Sequence, residues 1–163
     1  MLSTSMPPRG QDSEATDFAP VDPDYEERVR ASFARQGAMR LLGARLLALS
    51  PGFCAIELPC REDLTQQHGY IHAGIVSAIA DSAGGYAGFT LFPGDASVLT
   101  VEYKLNLLAP AAGERLVAEG RVVKPGRTLA VTRGEVYAEA GGRRTLCALM
   151  QQTLIVLAGK PDA

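Results

Sequence analysis

Residues 72–91, HAGIVSAIADSAGGYAGFTL, constrain the fold of this chain more than any other stretch. Read as a helix, the segment is apolar on nearly every side, so it has to be buried on most sides. A sheet curved around it supplies that surround. Its small residues, among them Ala73, Gly74, Ala80, Ala83, Gly84 and Gly88, let strands approach closely, and Pro93-Gly94 ends it. One residue breaks the apolar character. A carboxylate such as Asp81 is costly to bury without a partner, so its presence points to function rather than packing.

The flanking sequence supplies the sheet. Residues 1–21 are rich in Ser, Pro, Asp and Gly and read as a disordered tail. Residues 22–42 read as a helical segment: Asp22 caps it, Pro23 takes the first helical position, Asp24, Glu26 and Glu27 suit the positive end of the dipole, Gly37 is a stop, and Met39 to Leu42 add a short turn before Gly43. Residues 43–158 form the main domain. Residues 44–49 and 53–58 read as strands joined by Ser50-Pro51-Gly52. Four more strands follow the helix, at 98–108, 115–123, 128–140 and 143–157. The first alternates, with Leu99, Val101, Tyr103, Leu105 and Leu107 on one face and Thr100, Glu102, Lys104 and Asn106 on the other. Pro125-Gly126 marks a hairpin turn with Pro then Gly at its centre. The result is an α+β domain in which one helix is embraced by a curved antiparallel sheet of about six strands.

Composition removes several functions. The formal net charge is −2 and Trp is absent, which excludes a basic or base-stacking nucleic-acid surface. Three Cys without C-x-x-C spacing argue against disulfides or a metal site and for buried thiols. No signal-type apolar region and no membrane-spanning run appears, so a cytoplasmic protein without membrane attachment is expected.

The helix also suggests chemistry. His72 and Asp81 are nine residues apart, which places them on opposite faces and roughly 13 Å apart along the axis. They cannot share a site within one chain, but a two-fold dimer can bring Asp81 of one copy to the helix start of the other. A helix start offers unpaired N–H groups and a positive dipole end, here at Ala73 and Gly74, and these can stabilise an oxyanion. A carboxylate can act as base on water or as nucleophile. The pair describes hydrolysis of an activated acyl compound. For other residues a structural reading stands beside the functional one: His72 as a cap, Gln66 bonded to its own loop, Thr100 as a strand residue, and Lys124 with Arg127 as a solvated hairpin tip or a phosphate contact.

The run QQHGYIHAGIVSAIADSAGGYAG resembles the signature of PaaI-type hot-dog-fold acyl-CoA thioesterases. TVEYKLNLLAPAAG is similar to the family's third strand and turn, and KPGRTLAVTRGEVY to its next hairpin; the resemblance covers roughly residues 37–157. It implies a hot-dog fold and roles residue by residue. Asp81 takes the place of the catalytic carboxylate. Ala73 stands where the family has the first Gly after His, whose N–H faces the thioester oxygen. Gln66 falls where an Asn usually orients the nucleophile or water, and Thr100 where some members place a Ser. Gly126 and Arg127, beside Lys124, fall near turns that contact coenzyme A phosphates in some members. Coenzyme A would be part of the substrate, with no separate cofactor and no metal, and the protein a homodimer or a homotetramer. A hot-dog hydratase or dehydratase, and a non-catalytic acyl-CoA-binding module, are the competing readings.

Overall fold

The central helix forms as α3 (Ala73–Phe89), with His72 at its N-cap. It is the spine of the computed structural model, which describes residues 18–162. Val76, Ile79, Ala80, Ala83, Ala87 and Phe89 on it are at most 1% exposed. The surround is one antiparallel sheet of six strands: β1 (Arg45–Ser50), β2 (Phe53–Pro59), β3 (Ser97–Leu107), β4 (Arg115–Lys124), β5 (Leu129–Ala140) and β6 (Arg143–Leu157). Their spatial order is β1-β2-β4-β5-β6-β3, so β1 and β3 are the edges. This is the α+β architecture expected for a hot-dog fold. Helix and sheet approach so closely that a Cβ on Gly120 of β4 would lie 2.2 Å from the carbonyl oxygen of Ala83. Any larger residue there would force the two apart.

The N-terminal segment holds α1 (Tyr25–Arg35) and α2 (Gly37–Leu42). The expected helix start is displaced. Asp22 divides its carboxylate: Oδ1 accepts from the N–H of Asp24 at 3.0 Å, as a cap does, Oδ2 pairs with Arg28 Nε at 2.8 Å, and the regular helix begins at Tyr25. The first helix does end beside Gly37, with Gln36 as its C-cap; Gly37 then opens α2, which takes in the short turn expected over 39–42 and stops at the left-handed Gly43, with φ 75°. α1 lies against the later turns of α3. Val29 is fully buried, the rings of Phe33 and Tyr86 meet edge to face at 5.8 Å, and Arg28 donates to the carbonyls of Phe89 and Phe92. Arg28 thereby gives the Phe92 carbonyl a donor and adds a second to that of Phe89, which already accepts from the Phe92 N–H. Of the tail expected at 1–21, residues 1–17 lie outside the described residues. Phe18 is not loose: it packs against the core and over Gly52.

Two details of the sheet depart from simple alternation. In β3 the register slips between Thr100 and Glu102. Thr100 pairs with buried Leu154 and Tyr103 with buried Gln152, so both face α3, while Leu99 turns to the other face. The bulge at Val101 therefore undoes the expected grouping of Leu99 with Tyr103, because one extra residue inverts every side chain beyond it. In the β4–β5 hairpin Gly126 has no positive φ, which rules out the Pro-Gly turn in which Gly needs one. No helix among the described residues is long and apolar enough to cross a membrane.

Candidate active site

Asp81 sits mid-helix and is half-buried, on the side of α3 that faces β3, β6 and α1. Its Oδ1 accepts from Thr100 Oγ1 at 2.7 Å and from Gln152 Nε2 at 2.5 Å. Oδ2 has no partner among the described residues, and no cation pairs with the carboxylate among them. Asp81 and Thr100 line a cavity of about 430 Å³, together with Ser32 and Arg35 of α1, Gln36 just beyond it, and Tyr86. Ser32 Oγ and Tyr86 Oη are 3.1 Å apart, and burial holds the Tyr86 phenol above its ordinary range, so it stays protonated. Arg35 is occupied by an ion pair with Asp162, at 2.5 Å.

The helix start is built differently. His72 Nδ1 accepts from the N–H of Gly74 at 2.9 Å, so the ring nitrogen carries no proton there and the side chain works as a cap. This corrects the expectation for Gly74, whose N–H is already occupied within its own chain. The N–H of Ala73 has no partner among the described residues. Ala73 lines a second cavity, of about 350 Å³, together with Gln66, Tyr70, Val76, Leu108 and Pro110. Gln66 is turned back on its loop, its side-chain oxygen accepting from the N–H of His68. In the single chain that is the plainer of the two readings for Gln66.

The two cavities share no lining residue. The structure thus joins Asp81 with Thr100 and Ala73 with Gln66, and keeps the pairs apart. Lys124, Gly126 and Arg127 are exposed on the β4–β5 hairpin. The register Thr100–Leu154–Ala130 puts that hairpin at the Thr100 end of the sheet, two strands in from the edge.

Sequence reasoning missed several contributors. Gln152 and Thr132 are 1% and 0% exposed, and α1 walls the Asp81 cavity. A signal for Gln152 did exist. Strand alternation puts it in phase with Met150 and Leu154, both core residues, so a polar side chain was being sent inward. Nothing in the sequence of α1 announces what it packs against.

The model of the thioesterase superfamily matches residues 68–145, a span that takes in the start of α3, Asp81 and Thr100. A thioesterase family protein from Silicibacter pomeroyi is 51% identical in a superposition with TM-score 0.82, covering 83% of this chain and 99% of that one. The chain belongs to the thioesterase superfamily. This superfamily member is also 28% identical over 119 residues to human acyl-coenzyme A thioesterase 13, covering 72% of this chain and 84% of that one. The Escherichia coli PaaI protein shares its fold at TM-score 0.76, with 18% identity over 85% of this chain and 96% of that one.

Proposed function

We propose that the protein hydrolyses acyl-coenzyme A thioesters to the free acid and coenzyme A, at sites formed between two copies of the chain. The observation that carries this is the state of Asp81: a half-buried carboxylate that has, among the described residues, no counter-charge, one oxygen held by two donors and the other without a partner beside a cavity. Asp81 takes a proton from water as the water oxygen attacks the thioester carbon. The oxyanion that forms is held by the N–H of Ala73 of the second copy, at the positive end of α3. The carbonyl reforms, the C–S bond breaks, and the thiolate leaves with the proton that Asp81 had taken. Such a leaving group is good enough that an oriented water and an oxyanion donor suffice.

The need for a second copy is supported by β3. Among the described residues it is a sheet edge hydrogen-bonded only to β6, and Leu99, Val101, Tyr103 and Leu107 on it are 46–58% exposed. An apolar, unpaired edge of this length invites a second strand. A two-fold related β3 would cover it and bring each Asp81 towards the other copy's helix start. The likeness to acyl-coenzyme A thioesterase 13 supports the acyl-CoA substrate. Lys124 and Arg127 supply exposed cations for its phosphates.

Asp81→Asn keeps the shape and removes the base. Thiol release from a panel of short, medium, long and aromatic acyl-CoAs is expected to fall by about a thousandfold or more, within the span that general-base catalysis and its coupled donors provide. Wild-type turnover by a folded Asp81→Asn protein would overturn the proposal. Hydration of an enoyl-CoA without thiol release would favour a hydratase instead.

A further inference from the structure

We infer that Gln152 is the residue that positions Asp81 for the reaction, an inference that rests on the thioesterase reading above. Gln152 is 1% exposed on β6, in phase with core residues Met150 and Leu154. Its Oε1 accepts from Thr132 Oγ1 at 2.9 Å. Its Nε2 faces three acceptors: Asp81 Oδ1 at 2.5 Å, Thr100 Oγ1 at 2.9 Å and the Asp81 carbonyl oxygen at 3.1 Å. Only one orientation of the amide is tenable. Reversed, it would press an oxygen against the carboxylate and the carbonyl oxygen of Asp81, neither of which can donate. Thr132, itself fully buried, holds the far end of the amide.

Packing does not explain this arrangement. Apolar residues at both 152 and 132 would remove the need to satisfy a buried amide and a buried hydroxyl, and paired replacements of that kind can be nearly neutral. The chain instead gives up a side chain on α3 to make room. A Cβ on Gly84 would lie 2.0 Å from Gln152 Oε1 and 2.9 Å from Thr132 Oγ1. Gln152, Thr100 and Asp81 then close a ring of hydrogen bonds that stops the carboxylate from turning about its Cβ–Cγ bond. Both donors fall on Oδ1, so Oδ2 is the oxygen left for water. A side chain that reaches the carboxylate from behind and fixes which oxygen reacts is a positioning device, since misplacement by about 1 Å can cost on the order of a hundredfold.

The test uses the full chain, thiol release from a good acyl-CoA, and binding of a non-hydrolysable acyl-CoA thioether. Gln152→Met keeps the volume and removes both hydrogen-bonding ends. Its kcat is expected to fall about ten- to a hundredfold, with KM and the thioether Kd within about twofold of wild type. Thr132→Val should lower kcat several-fold in the same pattern, and Thr132→Ser, which keeps the hydroxyl, should restore it. A folded Gln152→Met protein with wild-type kcat overturns the inference, as does a loss shared equally by kcat and thioether binding. If Gln152→Met does not fold, the Thr132 pair decides: wild-type kcat in the Val variant, or no recovery in the Ser variant, overturns it. Asp81→Asn separates the two levels. Should that variant keep turnover, the thioesterase reading itself falls; should it be inert while Gln152→Met is unaffected, only the role of Gln152 falls.

Discussion

The two stations on α3 that the proposed reaction would use are built from different materials. At its start the working group is a backbone N–H, that of Ala73, and the neighbouring side chain, His72, is spent on capping Gly74. Two turns on, the working group is the carboxylate of Asp81, held by side chains from β3 and β6 that β5 in turn holds in place. A backbone donor asks only that the helix begin at the right place. It is indifferent to whether residue 73 is Ala or Gly, which is why HAG can stand where the resembling signature has His-Gly-Gly. The Asp81 station asks for particular side chains on separate strands and for a glycine opposite them. The first is open and waits for something outside the chain; the second is finished within it.

The sharpest break of that comparison is a pair of variants used together. Ala73→Pro touches the helix start alone. Proline at the first helical position gives up an N–H that the helix does not use, and His72, with ψ 139°, has the extended backbone that precedes a proline. Loss of this oxyanion donor should lower kcat by about 10²–10³ with little change in melting temperature. Asp81→Asn disables the other station. When the two variants are mixed and allowed to exchange subunits, a heterodimer holds one site with both defects and one with neither. A one-to-one mixture should recover about a quarter of wild-type activity, the statistical share for two-fold dimers. Exchange verified by native mass spectrometry without recovery would mean that each station works with its own chain.

Smaller effects sharpen the contrast in materials. Thr100→Val removes one of the two donors on Asp81 Oδ1 and leaves the other, so kcat should drop about tenfold, close to what one modest hydrogen bond supplies, and Thr100→Ser should recover it. His72→Ala should do something different in kind. It removes the cap, and thermal unfolding should show a melting temperature about 2–4 °C lower, with kcat reduced far less than by Ala73→Pro. A collapse of kcat in His72→Ala equal to that of Ala73→Pro would mean that the imidazole has a direct chemical role.

How much of this was legible in the sequence follows from the same contrast. The helix and its wrapping sheet could be read because an all-round apolar segment has few alternatives, and Asp81 stood out as its only acidic residue. The separation of the two stations followed from helical geometry alone. Thr100 was legible by residue type but not by direction, since a one-residue bulge at Val101 reverses the side chains of β3 and nothing local marks it. Gly74 was misjudged because a cap is a side-chain rotamer choice made after the backbone is set. Gln152 and Thr132 come from strands 71 and 51 residues away from Asp81 in the chain, and α1 finds the cavity only through tertiary packing. Local pattern carries the scaffold well; contacts between distant segments carry the site.

The three cysteines offer the gentlest probe of whether one end of α3 is open and the other closed. Cys60 is half-buried and lines the loop cavity beside Gln66 at the helix-start side. Cys54 is fully buried on β2, near Arg30 of α1 and near Tyr86, which lines the Asp81 cavity, and so reports on the Asp81 side. Burial pushes the Cys54 thiol up to about 12 and that of Cys147 up to about 11. A thiol so raised stays protonated as pH climbs through 8 and 9, and the thiolate is the reactive form. Maleimide at pH 8 should therefore place one label per chain, on Cys60, read by intact mass and peptide mapping. Raising the pH to about 9.5 should speed that reaction without recruiting the other two, because their titration lies higher still. Labelling of Cys54 at the rate of Cys60 would show α1 lifting from α3 as readily as the loop opens, and the Asp81 station would then be no more closed than the helix start.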